Sequence, residues 1–171
     1  MKKIYMALFF FFLFCVNVTS IFGESDFFFK SLIGRSRSYI ETYYPHYKVF
    51  NLKGDKKDGY YIIGGLDCKD SGKIYMLVGF DGKKQNSVVD HVVLQARKCR
   101  EYITEDTMYS AGNTFVYMLG LDEYLQESKI FDAFPNSFAV VFPNNIYATI
   151  AENKDTDGNT FYEGTFSQLM K

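Results

Sequence analysis

The spacing of apolar residues changes character along the chain, and each change predicts a different element. Across 25–43, SDFFFKSLIGRSRSYIETY, the spacing is helical: Phe28, Leu32, Tyr39, Ile40 and Tyr43 fall on one face. Ser25 or Asp26 can cap such a helix and Pro45 stops it, while Gly34 weakens its middle. Arg35 and Arg37 sit in GRSRS and read as a solvated helix face rather than an anion site.

Beyond Pro45 the period falls to two. Strands are predicted over 47–52, 60–67 and 73–81, separated by the polar turns GDKKDG and CKDSGK. The stretch 87–98 fits either period. Its four valines favour a strand, because branched side chains are stiff in helices. A further strand is predicted over 114–120 and a short helix over 122–133, capped by Asp122 and ended by Pro135. Three closing strands follow over 137–142, 146–152 and 160–169, with PNN and NKDTDGN as their turns. The expected fold class is α+β: an N-terminal helix packed on a mainly antiparallel, meander-like β-sheet, with a second short helix near 122–133.

One pattern recurs. YYIIGGLD (60–67), IYMLVGFD (74–81) and VYMLGLD (116–122) each end an apolar run in Gly-Leu/Phe-Asp. In a hairpin of 60–67 with 74–81, Asp67 and Asp81 lie at opposite ends of the sheet and cannot share a ligand. The repeat is therefore read as the way this chain leaves a strand.

Composition adds a compartment. The chain opens MKKIYMALFFFFLFCVNVTSIFGES: two lysines, an apolar run over 4–16, then small residues at Ser20 and Gly23. That is the layout of a secretory signal peptide, too short in its apolar part to span a bilayer. The expected organisation is a signal peptide over 1–23 and a single α+β domain over 24–171. The protein is then secreted or periplasmic, with no transmembrane span once the signal is cleaved. Losing Lys2 and Lys3 takes the formal net charge from −1 to −3, which argues against nucleic acid as partner. Cys68 and Cys99 are left as an even pair, expected to form one disulfide in an oxidising compartment.

No motif names a reaction. Asn153, Asp155, Asp157 and Glu163 place oxygen ligands around Gly158 in a calcium-like order. Glu163 is one position early for the chelating carboxylate, however, and Asp157-Gly158 is a hairpin turn signal, so the stretch reads as a turn. His46 and His91 are the only histidines. Asp90 and His91 are neighbours that a regular strand would send to opposite faces, so no Asp–His pair is expected. No nucleophile elbow is present. No cofactor and no metal are expected, and catalysis is the less favoured reading.

The surplus is aromatic: 18 Phe, 14 Tyr and no Trp. Tyrosine suits contact surfaces. The expected function is a non-enzymatic binding module that meets a protein or other macromolecule through a tyrosine-rich surface, with Tyr60, Tyr61 and Tyr75 as first choices. In a strand only one of Tyr60 and Tyr61 can share the side of Tyr75. Two alternatives stand beside it. One is a carrier holding an apolar small molecule between sheet and helix; the other is a small hydrolase-type enzyme.

Overall fold

A computed structural model describes residues 32–43, 48–51, 59–82, 84–143 and 145–168. The predicted signal segment, residues 25–31 and His46 lie outside these. A short helix, α1 (Arg37–Tyr43), precedes four strands: β1 (Lys48–Asn51), β2 (Gly59–Asp67), β3 (Lys73–Phe80) and β4 (Val89–Arg97). Helix α2 (Met108–Met118) and a 3-10 turn (Asp122–Glu127) lead to β5 (Lys129–Phe134), β6 (Ser137–Val141), β7 (Ile146–Lys154) and β8 (Thr160–Gln168).

The eight strands make one antiparallel sheet in the order β1-β2-β3-β4-β8-β7-β6-β5. It is built of two four-stranded meanders. The first runs inward from β1 to β4. The second starts at the far edge with β5 and returns to the middle, where β8 pairs with β4. The expected antiparallel sheet is thus present, but as two meanders rather than one.

One face of the sheet carries the core. Ile74, Met76, Val78 and Phe80 of β3 are buried on it, as are Val92, Leu94 and Ala96 of β4 and Phe166 of β8. Helix α2 lies over β7 and β8 on this side, close enough that Phe115 packs against Gly164 and Phe138 against Gly112. Such an approach admits glycine and little else. Side chains on the alternate positions, such as Tyr75, Leu77, Val93 and Thr165, are only half-buried.

Three expectations fail, each for a physical reason. The helix predicted over 25–43 is not supported as drawn. Residues 32–36 form a turn in which Gly34 takes φ +85°, and Ser36 bridges to Val88, so the helix starts only at Arg37. Arg37 is buried rather than solvated: its guanidinium lies 4.4 Å from the Phe80 ring centre, and Nη2 donates to the Gly82 carbonyl at 2.8 Å. Tyr43, placed on the core face by spacing, is exposed, whereas Leu32 and Ile40 are buried as expected.

The strand predicted over 114–120 is helix α2. Thr107 caps it by accepting from the Ser110 amide at 3.2 Å. The helix is buried on nearly every side, so its sequence shows no polar stripe to mark the 3.6-residue period. Gly120, at φ +64°, closes it: its amide donates to Tyr117 and that of Leu121 to Val116. The third Gly-Leu-Asp therefore leaves a helix, not a strand. The helix predicted over 122–133 is a 3-10 turn only to Glu127, after which the chain becomes the edge strand β5.

The tight seat of α2 yields a direct test. A Cβ at Gly164 would lie 2.6 Å from Phe115 Cδ2 and 3.0 Å from Ile150 Cδ1 and Phe166 Cε2, all three side chains buried. Gly164→Ala is expected to cost about 1–3 kcal/mol in urea unfolding through overpacking. An unchanged unfolding midpoint would mean that α2 does not sit this close.

Candidate binding face and the cleft at the disulfide end

The register aligns the positions that alternate with the core into rows that cross the sheet, most of them half-buried. One row runs Leu77–Val93–Thr165–Thr149–Ala139, another Tyr75–Gln95–Glu163–Ala151–Ser137. A third runs Gly79–His91–Ser167–Tyr147–Val141. Among the described residues no helix covers this face. Gln95 Nε2 donates to Glu163 Oε2 at 2.7 Å across the centre. Register sets Tyr60 opposite Gly79 and Tyr61 opposite Val78; the side chains of these two tyrosines lie outside the described residues.

At one end of the sheet the face runs into a cleft. Cys68 and Cys99 are joined there, with Cα atoms 5.5 Å apart. The bond ties the β2–β3 turn to the segment after β4, and polar clips reinforce it. Lys69 pairs with Glu101 at 2.9 Å, and the Arg100 amide donates to Asp70 Oδ2 at 3.0 Å. Lysine pairing holds the Glu101 carboxyl below its ordinary range. A Cβ on Gly72 would overlap the Lys98 carbonyl, so glycine is required where the two loops meet.

The cleft has two lobes that share Lys98, Asn159 and Thr160. The core-side lobe, about 480 Å³, has Cys99, Ile103 and Tyr162 beneath a rim of Asp70, Lys98, Arg100 and Asp106. The lobe on the open face, about 390 Å³, includes Lys73, Tyr75, Arg97 and Asp155. Burial pushes the Tyr162 phenol well above its ordinary range, helped by the bond its hydroxyl donates to Asp106 Oδ1 at 2.9 Å. Arg97 spans Asp155, at 3.5 Å, and the Phe161 ring, at 5.1 Å.

The calcium-like stretch proves to be the β7–β8 turn, and its oxygens face protein donors. Asp155 Oδ1 accepts from the amides of Asn159, at 2.9 Å, and Asp157, at 3.0 Å. Those bonds, the one from Asn159 foremost, hold its carboxyl below the usual carboxylate range. Glu163 lies on β8 and is engaged with Gln95. Among the described residues no group of three or more His, Cys, Asp or Glu could hold a metal ion.

The expectation that Asp90 and His91 point apart is wrong. Gly79 pairs with His91 while Phe80 pairs with Val89, which leaves Asp90 as the extra residue of a β-bulge. The bulge turns both side chains to one side, and Asp90 Oδ1 bonds His91 Nδ1. The imidazole lies over Gly79, whose missing Cβ makes room for the ring. Ser167 faces His91 in register but sits on β8, on the other flank of β4 from the ring.

The Asp155 bonds generate a pH prediction. A carboxyl whose folded pKa is depressed contributes stability above its unfolded value, about 3.9, and loses it as pH falls through the folded value. Urea unfolding at pH 7 and pH 3 should show a smaller acid loss in Asp155→Asn than in the wild type. Equal losses would mean that the carboxylate does not support the turn. No known protein family, curated protein or solved structure matches this chain.

Proposed function

We propose that the protein is an exported, non-catalytic binding module that holds a protein partner on the sheet face opposite α2. The observation that carries this reading is the face itself. Tyr75, Leu77, Val93 and Tyr147 stay half-exposed there among Thr149, Thr165 and Ser167. A broad face mixing aromatic, aliphatic and hydroxyl groups suits protein contact better than enclosure of a small molecule. The Cys68–Cys99 disulfide is consistent with an extracytoplasmic location. Among the described residues no helix is long and apolar enough to cross a membrane.

The carrier reading places its ligand between the sheet and the N-terminal helix, where residues 25–31 lie outside the described residues; under α2, Phe115, Ile150 and Phe138 fill the space against Gly112 and Gly164. The Asp90–His91 pair gives the hydrolase reading its one specific observation. Ser167, the hydroxyl that faces His91 in register, lies across β4 from the ring.

The test uses two half-exposed tyrosines in different meanders. Tyr75→Ala and Tyr147→Ala together should weaken capture of an extracytoplasmic protein partner by roughly tenfold or more, as loss of aromatic anchors does. The melting temperature should hold. Undiminished capture by the folded double variant would remove the face from the interface, and collapse of the fold would make these tyrosines structural.

A further inference from the structure

The carboxylates of the cleft are already engaged, while two of its cations are not. Asp70 accepts from the Arg100 amide, Asp106 from the Tyr162 hydroxyl and Asp155 from its own turn. Lys73 pairs with Asp67 at 3.0 Å and Arg97 with Asp155 at 3.5 Å. Lys98 and Arg100 make no ion pair among the described residues. Both side chains border the core-side lobe of about 480 Å³, a volume suited to a small organic molecule. Lys98 is set at the crest between the lobes by a left-handed backbone, φ +49°, held against Gly72. Below the cations lie groups of another kind. Ile103 and the Cys99 half of the disulfide are buried, and Tyr162 is 5% exposed.

We propose that this lobe binds a carboxylate-bearing organic ligand, with its oxyanion on Lys98 and Arg100 and a small apolar body on Ile103, Cys99 and Tyr162. The flanking Asp70 and Asp106 decide the charge. Lys98 and Arg100 offset Asp70 and Asp106, so the lobe has no surplus positive charge, and a phosphate dianion meets twice the aspartate repulsion that a carboxylate monoanion meets. Asn159 and Thr160, which also line the lobe, supply a side-chain carbonyl and a hydroxyl for the polar atoms of the body. A peptide C-terminus and a free carboxylic acid share this chemistry. The proposal does not depend on the open sheet face binding anything.

The experiment is an NMR titration of the whole folded protein with N-acetyl-leucine and with N-acetyl-leucinamide, which differ in the charged group. N-acetyl-leucine should saturably shift the backbone amides of Lys98, Arg100, Asn159 and Thr160, and N-acetyl-leucinamide should bind about tenfold more weakly or not at all. Lys98→Gln and Arg100→Gln should each weaken the acid about tenfold, and Lys129→Gln, at the far edge of the sheet, should leave it unchanged. An acetylated tetrapeptide ending in leucine assigns the source. Tighter binding than N-acetyl-leucine points to a chain terminus, equal binding to a free acid. The proposal is overturned if acid and amide bind alike, if neither gives a saturable shift at these residues, or if inorganic phosphate binds as tightly as the acid.

Discussion

The pairing of β4 with β8 is the constraint on which the molecule depends. It is the one seam that turns two four-stranded meanders into a single sheet. Its register sets Leu94 opposite Gly164, which places the glycine under Phe115 and lets α2 settle onto the core. A slip of one residue would send Val92, Leu94 and Ala96 to the solvent side and bring Val93 and Gln95 inward. Burial on one face therefore fixes the seam, and the seam fixes everything that crosses it. The rows of the open face pass through it. So does the cleft, whose Lys98 and Arg100 follow β4 while Asn159, Thr160 and Tyr162 come with β8.

The disulfide end makes this geometry rigid. Cys68–Cys99 closes a span of 31 residues, a constraint on the order of 3 kcal/mol in the chain-entropy model. Around it the Lys69–Glu101 pair, the Arg100–Asp70 bond and the contact of Gly72 with Lys98 all join the same two loops. The Tyr162–Asp106 bond ties the third wall, through the segment that leads into α2. A rim held in this way loses little freedom when a ligand arrives, which is the physical advantage of a preorganised site.

How much of this could be read from the chain varies with the element. Strands with one buried face announce themselves by alternation, and β3 and β4 lie where the pattern put them. The four valines of 87–98 were a sound guide because two of them, Val89 and Val92, fill the core while Val93 faces outward. Helix α2 was illegible because burial on nearly every side erases periodicity, and its Thr107 cap and Gly120 stop were the signals to weigh instead. The Cys68–Cys99 bridge followed from parity and compartment. Nothing local marked the cleft, whose walls are separated by some sixty residues of sequence. Nor did strand alternation allow for the bulge at Asp90, which reverses the expected divergence of Asp90 and His91.

The proposed recognition through the sheet face opposite α2 is tested most directly by backbone amide hydrogen exchange with and without bound partner. Exposed aromatics elsewhere offer the rival surface: Phe131 and Phe134 on edge strand β5 are 76% and 59% exposed. Binding on the open face predicts slowed exchange centred on β3, β4 and β8, around Tyr75, Val93 and Thr165. Protection confined to β5 and the β5–β6 turn would contradict the account and assign recognition to the edge of the sheet.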